Sequence, residues 1–136
     1  MFSQATKYAL AALTQLATRP TPISLRPLAA AAHVPHPFLA KLVPTLVRAG
    51  ILASSRGRGG GVRLARPAQE ISLLQVVQAV DGRRLEEECP FHPQPCPGDP
   101  HCPFRELWDP VREALISFLQ STTLADLARA KTGGKR

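Results

Sequence analysis

Apolar residues recur at helical spacing from the start of the chain. Ala5, Tyr8, Ala9, Ala12, Leu13, Leu16 and Ala17 follow one another at intervals that keep them on one helix face, predicting a helix over 4–18 with Ser3 as its N-cap. Arg19-Pro20-Thr21-Pro22 ends it. Ser24 then opens a short helix over 25–32, with Pro27 in the first turn, where a missing N–H is tolerated, and an alanine run of high helix propensity. After the turn His33-Val34-Pro35, residues Phe38, Leu39, Leu42, Val43 and Leu46 make the apolar face of a third helix over 36–49, stopped by Gly50. Pro44 falls in its interior, where it frees the Ala40 carbonyl at a cost of up to about 3 kcal/mol. Short helix, tight turn and longer helix form a helix-turn-helix, whose second helix ordinarily lies in the DNA major groove.

The pattern then shortens. Ile51-Leu52 and Val62-Arg63-Leu64 bracket Ser54-Ser55-Arg56-Gly57-Arg58-Gly59-Gly60-Gly61, which predicts two short strands joined by a glycine hairpin, the wing of a winged helix. Ser72 opens a further helix with Leu73, Leu74, Val76, Val77 and Val80 as its apolar positions, ended by Asp81-Gly82. Residues 88–110 hold seven of the fourteen prolines, all three cysteines and two of the four histidines. So much proline predicts an irregular loop, and a loop this long in a small domain is expected to be functional or organised by a ligand. Asp109-Pro110 reads as the N-cap and first residue of a long helix, with Val111, Ala114, Leu115, Phe118 and Leu119 as its apolar stripe. Val111, Leu115, Phe118 and Leu119 are expected to pair with a second copy of the chain. Thr123-Leu124-Ala125-Asp126-Leu127 predicts a short capped helical turn, and Lys131 to Arg136 a disordered basic tail.

The fold expected is therefore mainly α: a winged helix-turn-helix with a two-stranded β-wing and a long C-terminal dimerisation helix. Its parts are a DNA-binding domain over 1–84, a cysteine loop over 85–109, the dimerisation helix and a short helix over 110–130, and the tail over 131–136.

Charge sharpens this picture. The chain carries a formal net charge of +7, and its first acidic residue is Glu70. Lys7, Arg19, Arg26, Lys41, Arg48, Arg56, Arg58, Arg63 and Arg66 precede it without an offset, which favours a polyanionic partner. No apolar run approaches the ~20 residues that span a bilayer, and the start of the chain lacks the features of a secretory signal. The expected location is the cytoplasm, away from membranes, where clustered thiols point to metal binding or redox sensing. No phosphate-binding loop and no serine paired with a base is present, so no enzyme is expected.

In order and spacing the chain resembles the IscR/NsrR group of bacterial winged-helix regulators, in the Rrf-two family, over nearly its whole length. The likeness rests on Tyr8-Ala9, Phe38-Leu39, Leu42, Arg48-Ala49-Gly50-Ile51-Leu52, Arg56-Gly57, Gly59-Gly60-Gly61, Asp81-Gly82, Leu107-Trp108 and Thr123-Leu124-Ala125-Asp126-Leu127. The resemblance implies a homodimer whose long helix pairs across a two-fold axis, and two winged helices reading a palindromic operator in double-stranded DNA. It implies a 2Fe-2S or 4Fe-4S iron–sulfur cluster on Cys89, Cys96 and Cys102 whose redox, nitric oxide or iron status sets DNA affinity. These cysteines are spaced C-x6-C-x5-C, one residue longer in the first gap than is common in the family. Two family positions for a fourth ligand are occupied here by Arg105 and Lys7. That leaves His92 or His101, with Glu106 behind them. The wing arginine of the family corresponds to Arg56, suited to a narrow minor groove, and Arg58 and Arg63 flank it for phosphate. On the recognition helix His36 and Lys41 are candidate contacts, and Phe38 reads equally as a thymine-methyl contact or a core residue. The alternatives are zinc on three cysteines and a histidine, a cluster-free thiol or small-ligand sensor of the same fold, and, more remotely, an electron-transfer or thiol-redox protein.

Overall fold

The computed structural model describes residues 2–89, 91 and 102–133, and among them forms seven helices and one two-stranded sheet. Helix α1, Gln4–Ala17, lies at the centre, with Ala9, Ala12, Leu13 and Leu16 buried. Ser3 caps it as expected, its hydroxyl accepting the Thr6 N–H at 3.1 Å. Helix α2, Leu25–Ala32, starts after Ser24, although the Ser24 side chain makes no capping bond. His33 adopts a left-handed φ of 58° and closes α2, so this histidine shapes the turn into helix α3, His36–Arg48.

Helix α3 buries Leu39, Leu42 and Leu46 and continues through Pro44. Ala40, whose carbonyl Pro44 leaves without a helical donor, and Pro44 itself both lie on the exposed side of the helix.

Strand β1, Leu52–Ser55, pairs antiparallel with strand β2, Gly61–Leu64, in the register Leu52↔Leu64 to Ser55↔Gly61. The turn between them uses positive φ at Gly57 and Gly59 and a 2.9 Å bond from the Gly60 N–H to the Gly57 carbonyl. Sequence pattern missed a third segment of this sheet. Ile23 exchanges backbone bonds with Val62 at 3.1 and 2.9 Å. A Cβ on Gly61 would stand 2.3 Å from the Ile23 carbonyl oxygen, so close backbone approach, and not only turn geometry, requires glycine there.

After a 3-10 turn over Ala68–Glu70, helix α4, Leu73–Asp81, begins with a capping box between Ser72 and Gln75 and ends at Gly82. Asp81 accepts hydrogen bonds from the Ser3 hydroxyl and, at 3.1 Å, from the Ser3 N–H. Partial burial pushes this carboxyl up, but the Ser3 donors overcome that and hold it below the usual carboxylate value. A lowered native pKa contributes stability above the unfolded value of about 4 and loses it as pH falls through the native one. Asp81→Asn is therefore expected to destabilise the protein at pH 7 and to match the wild type more closely near pH 3. Urea melts at both values check this, and a gap independent of pH would count against the clamp.

The C-terminal half departs from expectation in three places. Arg84–Glu87 forms a short helix, α5. Helix α6 runs Pro103–Ser121 and so begins seven residues before Pro110, inside the stretch expected to be loop. Asp109 is not its cap but an ion-pair partner of Arg112 at 3.0 Å and Arg105 at 3.6 Å; Cys102-Pro103 supplies the start instead. Helix α7, Leu124–Gly133, is longer than the predicted turn and takes in Lys131 of the expected tail; residues 134–136 lie outside the described residues.

The end of the chain is spliced to the winged helix by bonds from the Leu73 N–H to the Thr122 carbonyl, 2.8 Å, and from the Leu124 N–H to the Ile71 carbonyl, 2.9 Å. Helix α7 rests on α1, and Leu119 and Leu124 belong to the same hydrophobic core as Leu13, Leu39 and Val76. Among the described residues no helix is long and apolar enough to cross a membrane.

Candidate functional site

Three features stand out: a basic face, a cavity bordered by cysteines, and an apolar stripe on α6. The basic face is set by the wing and α3. Arg56 and Arg58 are exposed in the hairpin turn, and Arg63 on β2 points outward with its guanidinium donating to the Leu64 carbonyl at 3.2 Å. Every ion pair found among the described residues lies between Arg83 and Arg129, so these wing arginines have no carboxylate partner among them. On α3 the exposed side carries Pro37, Ala40, Lys41 and Pro44. Lys41 is the charged donor of that patch. His36 is half-buried at the first turn. Phe38 packs edge-on against Tyr8, centroids 4.9 Å apart, so its ring is engaged by α1 and the core reading of this residue is the better one.

The cavity, about 250 Å³, lies between α5 and the first half of α6. Cys89, just beyond α5, and Cys102, the N-cap of α6, both border it, half-buried and free of disulfide. Glu86, Glu87, Phe104, Arg105, Trp108, Asp109 and Arg112 complete its lining. Phe91 stacks on Phe104 at 5.3 Å and meets Trp108 edge-on at 6.1 Å. The Arg112 guanidinium lies 5.8 Å from the Trp108 ring centre.

Cys96, His92 and His101 lie outside the described residues. Glu106 is exposed and does not border the cavity. Among the described residues no three His, Cys, Asp or Glu side chains are grouped to hold a metal ion. The donor set nevertheless fits a cysteine-held group: thiolates are the ligands of iron–sulfur clusters, and the two described cysteines, thirteen residues apart in sequence, share one cavity.

Sequence pattern missed the aromatic and charged wall of this cavity. Phe104, Trp108 and Arg112 succeed one another every four residues, a spacing that puts all three on one helix face because α6 starts at Pro103 and not at Pro110.

The stripe is carried by Phe104, Leu107, Val111, Ala114 and Phe118, all exposed and spaced alternately by three and four residues. That is the spacing of a helix seam made to meet another helix. Of the four residues expected at a subunit interface, Val111 and Phe118 lie on this stripe. Leu119 does not: it is 2 % exposed, in the chain's own core, and Leu115 is half-buried against that core. The predicted stripe merged two apolar faces, because a helix packed on one side and apolar on the other shows hydrophobic positions at both sets of intervals.

Comparison with known proteins fixes the family. Residues 2–130 match the family model Rrf2, iron-dependent transcriptional regulator. The chain is 38% identical over 133 residues to protein aau3 of Rhizobium meliloti, covering 93% of this chain and 83% of that one. It is 32% identical over 108 residues to protein rrf2 of Nitratidesulfovibrio vulgaris, covering 79% and 72%. Among solved structures it resembles CymR, the global cysteine regulator of B. subtilis, with a TM-score of 0.78 and 31% identity over 94% of this chain and 95% of that one. It shares its fold with T. potens IscR, TM-score 0.80 at 24% identity over 100% and 91%. This winged-helix chain belongs to the Rrf2 family, whose members are DNA-binding transcriptional regulators and not enzymes.

Proposed function

We propose that this chain works in the cytoplasm as a homodimeric regulator whose affinity for a palindromic operator is set by an iron–sulfur cluster on Cys89, Cys96 and Cys102. The observation that carries this is that Cys89 and Cys102 border one cavity on α6, the helix that bears the exposed apolar stripe.

Cys102 is the N-cap of α6, and the same helix buries Leu119 against the core that includes α3 and α4. A group tied to both cysteines fixes the end of α5 to the start of α6. It thereby sets how the stripe is presented relative to the winged helix. Two copies joined along Phe104, Leu107, Val111 and Phe118 hold their α3 helices at one separation, and a palindrome demands a fixed separation. An iron–sulfur cluster, when bound, supplies an electron-accepting centre open to oxygen or nitric oxide. Anaerobic reconstitution with iron and sulfide tests the reading. Brown protein with matching iron and sulfide supports it, and colourless protein refutes it in favour of a cluster-free thiol, zinc or small-ligand sensor.

At the DNA, Arg56 enters the minor groove, Arg58 and Arg63 meet phosphates, and Lys41 and His36 face the major groove. Pro37, Ala40 and Pro44 offer no side-chain donors, so DNA shape contributes much of the selectivity. Arg56→Ala is expected to weaken operator binding with little effect on stability, because the side chain is exposed. Removing the partner of one phosphate lowers the salt slope of log K by about 0.9. Arg58→Ala and Arg63→Ala should each show that decrement in salt titrations. Unchanged affinity and slope in all three variants would remove the wing from the interface.

A further inference from the structure

Four buried side-chain polar atoms among the described residues have no hydrogen-bond partner: Thr6 Oγ1, Glu86 Oε2, Trp108 Nε1 and Arg112 Nε. Three of the four belong to residues that line the cysteine cavity. Buried polar groups in folded proteins are almost always paired, and leaving one unpaired costs on the order of 1–3 kcal/mol. Such a concentration around one cavity calls for an occupant.

The chemistry of the orphans says what kind. An indole Nε1–H donates only, and so does a guanidinium Nε–H; each needs an acceptor. Two of the carboxylates nearby, Asp109 and Glu87, are already engaged elsewhere. Asp109 receives the other end of Arg112, Nη1 to Oδ1 at 3.0 Å, and Arg105 at 3.6 Å. Glu87 faces Arg83 at 3.8 Å. Glu86 accepts from Gln78 Nε2 at 3.0 Å through Oε1, and its orphaned Oε2 bonds neither donor. Besides Glu86 Oε2, the described residues of the cavity wall offer the sulfurs of Cys89 and Cys102 as acceptors. A thiol is a weak acceptor, whereas a charged group bonds about twice as strongly as a neutral one.

We propose that Trp108 Nε1 and Arg112 Nε are positioning donors for anionic sulfur in this cavity, and that they set the reduction potential of the group held by Cys89 and Cys102. The inference rests on the cluster reading above. Donors to sulfur, with burial and net charge, are the means by which a protein tunes such a centre. Reduction adds negative charge, so N–H donors stabilise the reduced form more than the oxidised one and raise the potential.

The test uses the full chain, reconstituted anaerobically with iron and sulfide. Trp108→Phe keeps a ring and removes the N–H; Arg112→Lys keeps the charge and removes Nε. Potentials are read by redox titration of the visible spectrum, with circular dichroism confirming the fold. Each variant is expected to keep its colour and to titrate at a more negative potential. A tenfold weaker preference for the reduced form equals about 59 mV for one electron. If one variant fails to fold, the other decides. Coloured wild type with a folded variant of unchanged potential overturns this inference alone. A wild type that stays colourless overturns it together with the cluster reading.

Discussion

Serine in place of any one of Cys89, Cys96 or Cys102 is expected to abolish the visible absorbance of anaerobically reconstituted protein, because three thiolates leave none to spare. The fold should survive. Cys89 and Cys102 are half-buried, and the core is built elsewhere, from Leu13, Leu28, Leu39, Leu46, Ile51 and Val76. Substitutions outside such a core usually change stability by no more than about 0.5 kcal/mol, so urea midpoints of the metal-free variants should match that of metal-free wild type. Operator binding by all three variants should equal that of the wild type stripped of its cluster. Serine variants that retain the full spectrum would show that these cysteines do not hold it.

Phe118→Asp should give a folded monomer. Phe118 is 56 % exposed in the single chain, so a carboxylate is tolerated there as long as the stripe faces water. Across a two-fold axis the same change buries a charge in the apolar seam of each subunit. An uncompensated buried charge costs on the order of 3–5 kcal/mol. Leu119→Ala provides the contrast. That side chain lies in the chain's own core, and its truncation should cost about 2–5 kcal/mol of folding stability while the assembly state of the folded protein persists. Light scattering at micromolar concentration separates the two effects. Wild-type protein that elutes as a monomer, or a dimeric Phe118→Asp, would contradict the seam.

Much of the fold was legible in the pattern of residues. The caps Ser3 and Ser72, the stops at Gly50 and Gly82 and the glycine hairpin each follow from local backbone chemistry, and the structure has them where the pattern puts them. The failures came where two local signals competed or where the cause was distant. Asp109-Pro110 and Cys102-Pro103 are both good helix starts, and the pattern alone gave preference to the aspartate. The structure starts at Cys102-Pro103, and both Pro110 and Glu106, whose carbonyl it leaves without a donor, are exposed. The Ile23–Val62 bridge and the close approach that makes Gly61 obligatory join segments nearly forty residues apart, which no local window detects. At the site, charge asymmetry made the basic face readable and clustering made the cysteines readable. The orphaned donors of Trp108 and Arg112 depend on which neighbours are already satisfied, and only three-dimensional placement supplies that.

The most direct test takes one anaerobic preparation, with an operator selected by the wild-type protein, and measures affinity before and after the cluster is removed. A cluster-gated regulator gives two dissociation constants at least tenfold apart, about 1.4 kcal/mol of coupling, in one direction on removal and reversed on reconstitution. Equal affinity in the two states, from protein shown to carry its cluster in one of them, would contradict cluster control of DNA binding.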